Sequence, residues 1–218
     1  MPMKLYGYWR STAAHRVRIA LHLKGIPFES IPVDLVHGAQ HQGELAALNP
    51  QHLVPTLVDG TTVISQSLAI VEYLEERFAQ PPLLPANPAA RARVRQIALA
   101  VATDLHPLNN LRVLRYLKTT FSADPAMQQA WRHHWLAIEL AAIEPLLDAQ
   151  GPYATGSAVS LADLCLVPQL FGARRFDFPL ANFPRLLRVE AACARLPAFA
   201  QARPEVQADA PAEAARGG

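Results

Sequence analysis

The sequence predicts a two-domain fold, an α/β domain over residues 1–84 followed by an all-helical domain over residues 89–218. Three observations carry this. The first eighty residues alternate strand-like and helix-like patterns in the order β-α-β, then β-β-α. A proline-bounded stretch, Pro85-Ala-Asn-Pro88, then interrupts the chain, and after it apolar residues recur almost only at helical spacing.

The elements follow in order. Residues 4–9 form a short apolar run fit for a strand, and Val17, Ala20 and Leu21 with Ile19 and Leu23 give a helix over 14–24, stopped by Gly25 and Pro27. Residues 28–35 alternate as a second strand, so the first two strands should be parallel. A polar loop with His37, His41 and Gln42 leads to a short helix over 44–48 and the stop Asn49-Pro50. Strands at 56–58 and 62–65 flank Asp59-Gly60, a hairpin turn signal. A helix opens at Ser67 with Ile70, Tyr73, Leu74 and Phe78 on one face, ended by Pro81-Pro82. In the second part, residues 91–105 read as a long helix broken at His106-Pro107 and resumed over 108–118. Asp124-Pro125 starts another by an N-cap and a first-turn proline, with Trp131, Trp135, Ile138, Ala142 and Leu146 as its buried stripe. Ser160-Leu-Ala-Asp163 reads as a capping box for a helix over 161–174, and 183–195 as the last helix. The final fifteen or so residues, rich in Ala, Pro and charge, read as a loose tail.

Composition narrows the function classes. With 51% hydrophobic and 17% charged residues the chain is an ordinary globular one. Twenty basic residues against 18 acidic ones give a formal charge of +2, too balanced for binding driven by phosphate neutralisation. No uncharged apolar run is long enough to span a membrane, and Arg10, His15, Arg16 and Arg18 occupy the place of a signal peptide's apolar core, so a cytoplasmic location is expected. Cys165 and Cys193 lie inside predicted helices without metal-ligand neighbours, which argues for buried hydrophobes rather than a disulfide or a metal site.

The local motifs resemble one family. Tyr8-Trp-Arg-Ser-Thr-Ala-Ala-His-Arg-Val-Arg-Ile-Ala-Leu21 is similar to the signature of zeta-class glutathione transferases. Leu48-Asn-Pro-Gln-His-Leu-Val-Pro-Thr-Leu57 and Ser65-Gln-Ser-Leu-Ala-Ile-Val-Glu-Tyr-Leu74 resemble that family's two glutathione-binding stretches, and Ala162-Asp-Leu-Cys-Leu-Val-Pro-Gln169 its C-terminal helix. His106-Pro-Leu-Asn-Asn-Leu-Arg112 and Ala173-Arg-Arg-Phe176 are similar to the bacterial isomerases of the class.

The resemblance implies a glutathione transferase fold, with a thioredoxin-like first domain, and glutathione as cofactor. It also implies a homodimer and a cis-trans isomerisation of maleylacetoacetate to fumarylacetoacetate in aromatic amino-acid catabolism. Maleylpyruvate isomerisation, general glutathione conjugation and a binding module without chemistry are the alternatives.

The resemblance also implies the site. Ser11, with Thr12 beside it, would donate to the glutathione sulfur at a helix N-terminus, where the dipole favours a thiolate; plain helix capping is the alternative. Arg10 would act there too. Val54 would pair its backbone with the cysteinyl part of the cofactor, before a cis Pro55. Gln66 and Ser67 would cap the next helix and take the γ-glutamyl end, Gln51 and His41 the glycyl end, and His106 and Asn110 would hold the cofactor or the substrate. Arg10, Arg112 and Arg175 would bind the substrate carboxylates, Arg175 being preferred to Arg174 on resemblance alone. One departure matters: the family's usual cysteine is replaced by Ala13, so the nucleophile would be the cofactor's thiol and not the protein's.

Overall fold

The structure is a computed structural model, and residues 2–214 are described. The chain divides into two compact units, one formed by residues up to Pro82 together with those from Ala194 onward, the other by Leu83–Cys193.

In the first unit, β1 (Met3–Gly7) and β2 (Phe28–Pro32) pair in parallel, while β3 (Thr56–Asp59) pairs antiparallel with both β1 and β4 (Thr62–Ser65). The resulting four-stranded sheet has the order β2-β1-β3-β4, with Leu5 set against Ser30 on one side and Leu57 on the other. β2 is shorter than its alternation suggests. After Val33 makes a last bond to Gly7, Asp34 Oδ1 accepts from the N–H groups of Val36 and His37 and turns the chain away.

Helix α1 (Thr12–Leu23) is buried from Ala14 to Leu21, including the polar His15, Arg16 and Arg18. It is enclosed because α3 (Ser67–Arg77) packs against it and so does α10 (Pro197–Ala202). The short α2 (Gly43–Leu48) contributes Leu45 to a cluster with Tyr6 and Val33, onto which Leu48 and Val54 pack. That cluster supports the loop before β3, which Asn49 also ties: its Nδ2 donates to the carbonyl of Leu53 at 2.9 Å and to Thr56 Oγ1 at 3.1 Å.

The C-terminal segment differs from expectation. Helix α10 (Pro197–Ala202) follows the last expected helix and was not foreseen, and it belongs to the first unit together with the residues expected as a loose tail, of which 215–218 lie outside the described residues. Arg18 Nε donates to the carbonyl of Ala202 at 3.1 Å, and the N–H of Trp9 donates to Asp209 Oδ2 at 2.8 Å.

The second unit begins with α4 (Pro88–Leu99), N-capped by Asn87, which runs into a π-helical stretch (Ala100–Leu105) and the short α5 (His106–Leu108). The break expected at His106-Pro107 falls instead at Asn109-Asn110. The N–H of His106 reaches back five residues to the carbonyl of Val101, and this wider winding accommodates a proline that cannot donate. Asn110 then N-caps α6 (Leu111–Phe121), its side-chain oxygen accepting from the N–H of Arg112 at 3.0 Å.

Helix α7 (Pro125–Ile143) starts as expected, with Asp124 accepting from the N–H of Met127. Its buried face does not run as expected: Leu136, Leu140 and Ile143 are buried, while Ile138 and Ala142 are exposed. Both sets satisfy helical spacing, so periodicity alone could not choose between them.

Helix α8 (Leu161–Arg175) is the unit's most enclosed element, and α9 (Pro184–Cys193) packs on it. At its start Asp163, fully buried, accepts from Ser160 N–H at 2.8 Å, Ser160 Oγ at 2.9 Å and Ala154 N–H at 2.8 Å. Among the described residues no helix is long and apolar enough to cross a membrane.

Candidate functional site

In the first unit, Ser11 is the N-cap of α1. Its Oγ accepts from the N–H of Ala14 at 3.2 Å, and its own N–H bonds the carbonyl of Tyr8 at 2.9 Å. The hydroxyl hydrogen is still available to donate outward, at the positive end of the helix dipole. Thr12 follows as the first helical residue. Arg10 is half-buried with its guanidinium carbon 5.4 Å from the centre of the Trp9 ring. The turn itself is held from behind, because Arg18 Nη2 donates to the carbonyl of Trp9 at 3.0 Å while Asp209 takes that residue's N–H. Neither Arg18 nor Asp209 stood out in the sequence, Asp209 because its target lies 200 positions away along the chain. Burial pulls the Arg18 guanidinium down to about 10 and holds His15 well below its ordinary value, so His15 is neutral.

A second group gathers at the start of α3. Gln66 N-caps the helix with a left-handed backbone (φ 73°), its side chain making no capping bond; it donates through Nε2 to Gln51 Oε1 at 2.9 Å instead. The N-cap is therefore Gln66 alone, and Ser67 is the first helical residue. Buried Arg16, on α1, donates through Nη1 to Ser67 Oγ at 3.3 Å. An oxygen that accepts from a guanidinium turns its own hydrogen elsewhere, leaving Ser67 a donor. The Gln51–Gln66 bond joins two side chains that the sequence reading assigned to opposite ends of the cofactor. The Val54-Pro55 peptide is cis, in the loop between Gln51 and β3. His41 is exposed, its ring centre 5.1 Å from that of His52.

In the second unit, His106 opens α5, half-buried, and the Asn110 oxygen is committed to capping α6, which leaves its amide N–H groups to donate. Arg112 is exposed in the first turn of α6. The two arginines at the end of α8 have different neighbours. Arg174 forms an ion pair with Glu190 of α9 at 2.6 Å, whereas the Arg175 guanidinium carbon stands 4.4 Å from the centre of the Phe176 ring. One residue of this region went unread: Arg132, on α7, stands 4.4 Å from the same ring. A cation between Trp131 and His133, the sole Arg or Lys of the helix that starts at Asp124-Pro125, was the available signal.

Cys165 and Cys193 are both fully buried, and burial with nearby Asp163 and Glu190 pushes the Cys193 thiol up strongly. Neither is a nucleophile candidate. Among the described residues no group of three or more His, Cys, Asp or Glu could hold a metal ion.

A family model of the glutathione S-transferase N-terminal domain matches residues 10–77. A probable maleylacetoacetate isomerase of Vibrio cholerae is 45% identical over 96% of this chain and 99% of its own. The chain belongs to the zeta class of glutathione transferases. A zeta-class maleylpyruvate isomerase of known structure has a TM-score of 0.93 at 46% identity, covering 95% of this chain and all of its own. A maleylacetoacetate isomerase from Methylobacterium extorquens AM1, solved with malonate and glutathione, has a TM-score of 0.92 at 42% identity, over 95% and 99%.

Glutathione is the cofactor of this zeta-class family. The donor set fits it: a hydroxyl at the dipole-positive start of α1, and at α3 a Ser67 hydroxyl fixed as a donor, with the free N–H groups of the first helical turn, suited to a carboxylate.

Proposed function

We propose that the protein is a glutathione-dependent cis-trans isomerase of maleyl-substituted dicarboxylic acids, converting maleylacetoacetate to fumarylacetoacetate in aromatic amino-acid catabolism. The observation that carries this reading is the cation at the end of α8, where the Arg175 guanidinium carbon stands 4.4 Å from the centre of the Phe176 ring. Conjugation of apolar acceptors has no use for such a cation.

When bound, glutathione supplies a thiolate that adds reversibly to the conjugated cis double bond and leaves again after rotation, so none is consumed. The protein's part is to bind, orient and stabilise charge. Ser11 donates its hydroxyl hydrogen to the sulfur and, with the start of α1, favours the anion, Thr12 standing beside it as a second donor. Val54 offers main-chain N–H and C=O to the cysteinyl residue, Gln66 and Ser67 take the γ-glutamyl end, and Gln51 and His41 the glycyl end. His106 and the Asn110 amide hold the cofactor or the substrate. Arg10, Arg112 and Arg175 place the substrate carboxylates and stabilise the negative charge that develops as the double bond is attacked. The same reading makes the protein a cytoplasmic homodimer with no nucleic-acid or membrane partner. The TM-score of 0.93 to a maleylpyruvate isomerase favours maleylpyruvate as the second substrate candidate.

Substituting Arg112→Ala or Arg175→Ala tests the reading. Each should lower kcat/KM for the maleyl acid by about 100-fold or more while glutathione affinity stays close to that of the unaltered protein. Undiminished isomerisation in both variants contradicts it.

A further inference from the structure

Phe176 is gripped from several sides within the helical unit. His133 Nε2 bonds its carbonyl at 2.7 Å, and the guanidinium carbons of Arg132 and Arg175 each stand 4.4 Å from its ring centre. The two cations are therefore separated by at most twice that distance. One residue before Arg132, Trp131 Nε1 donates to the carbonyl of Leu108 at 2.8 Å, tying this stretch of α7 to the end of α5, just before Asn110 and Arg112.

Arg132 differs from its neighbours in having no counterpart. Arg174 is paired with Glu190, Arg93 with the carbonyl of Leu146, and Arg185 and Arg188 with carbonyls of residues 145–149. Arg132 makes no hydrogen bond or ion pair among the described residues, its Nε is buried without an acceptor, and burial disfavours its charge. A cation partly withdrawn from water and held against an aromatic ring, with no acceptor for its N–H groups among the described residues, is prepared for a planar acceptor with two oxygens.

We infer that Arg132 is a specificity-determining residue which, with Arg175 on the same ring, engages one carboxylate of the dicarboxylic substrate. The inference rests on the isomerase reading above and extends it to a residue outside that assignment. Arg132 then selects for the second carboxylate, and a monocarboxylate lacking that group gains nothing from it.

The test compares Arg132→Gln and Arg132→Lys with the unaltered protein, all loaded with glutathione. The measurements are KM for the maleyl acid, the inhibition constant of malonate, glutathione affinity and the melting temperature. In Arg132→Gln, KM and the malonate constant should rise together by about ten- to hundredfold, the range of a charge-assisted hydrogen bond, with glutathione affinity unmoved. Arg132→Lys keeps the charge without the fork and should recover only part of the loss. If KM and the malonate constant stay at their original values in the Arg132→Lys variant and in any folded Arg132→Gln protein, Arg132 is a structural prop and the inference is wrong. If the unaltered protein binds glutathione but neither isomerises a maleyl acid nor binds malonate, the functional reading fails, and the inference with it.

Discussion

On the proposed reading Ser11 serves two purposes with one hydroxyl: the lone pair caps α1 through Ala14 N–H, and the hydrogen is left to stabilise a thiolate. Replacing it separates them. Ser11→Ala should cost about 1 kcal/mol of stability through the lost cap. It should also lower kcat/KM by about 100-fold through the lost donor. Thr12→Ala, lacking the cap role, should leave the melting temperature close to that of the unaltered protein and reduce activity less; steady-state kinetics and thermal unfolding of both variants check this. Ser11 was legible because a hydroxyl directly before a helical pattern has few roles. The preference for Arg175 over Arg174 had no physical basis in the sequence, because the partner of Arg174, Glu190, lies on another helix. Arg132 was hidden for a related reason: what marks it is the absence of a partner, and a sequence does not display absences.

At the scale of elements, sequence signals held where the forces are local. The capping box Ser160–Asp163 and the Asp124-Pro125 start are satisfied within a few residues of themselves, so they read directly. The buried face of α7 is decided by what packs on it, which its own residues do not carry, and before Pro107 the choice of π winding over a break leaves no residue-type signal of its own, so neither was read correctly. The box supports its own prediction. Asp163→Ala removes three acceptor contacts and strands the N–H groups of Ala154 and Ser160 in the interior, which at about 1–3 kcal/mol for each group should destabilise the protein by about 3 kcal/mol in urea unfolding. Since Asp163 is placed neither on glutathione nor on substrate, the folded variant should keep its KM for glutathione.

Over the whole molecule, the return of the C-terminal segment to the first unit was the least legible feature, because the bond from Trp9 to Asp209 joins residues 200 positions apart and the segment's composition resembles that of a tail. The stability of that unit should carry a pH signature. His15 and His22 are held below their ordinary 6.5, first by burial and then by nearby arginines. Above pH 6.5 they are neutral in both folded and unfolded chains and cost nothing. Below it the unfolded chain takes up protons that the folded one refuses, so stability falls with pH at up to about 1.4 kcal/mol per pH unit for each such group. Urea unfolding between pH 5 and 8 should show this decline, and His15→Gln should flatten it.

On the proposed reading, catalysis uses glutathione without consuming it. The most direct measurement follows purified protein with maleylacetoacetate, and in parallel maleylpyruvate, with and without a small amount of glutathione, recording both the trans product and the free thiol. We expect many turnovers to the fumaryl product for each glutathione present, none in its absence, and an unchanged thiol concentration at the end. Glutathione lost in step with substrate to a stable conjugate, or no isomerisation of either acid with glutathione present, would contradict an isomerase that only borrows the thiol.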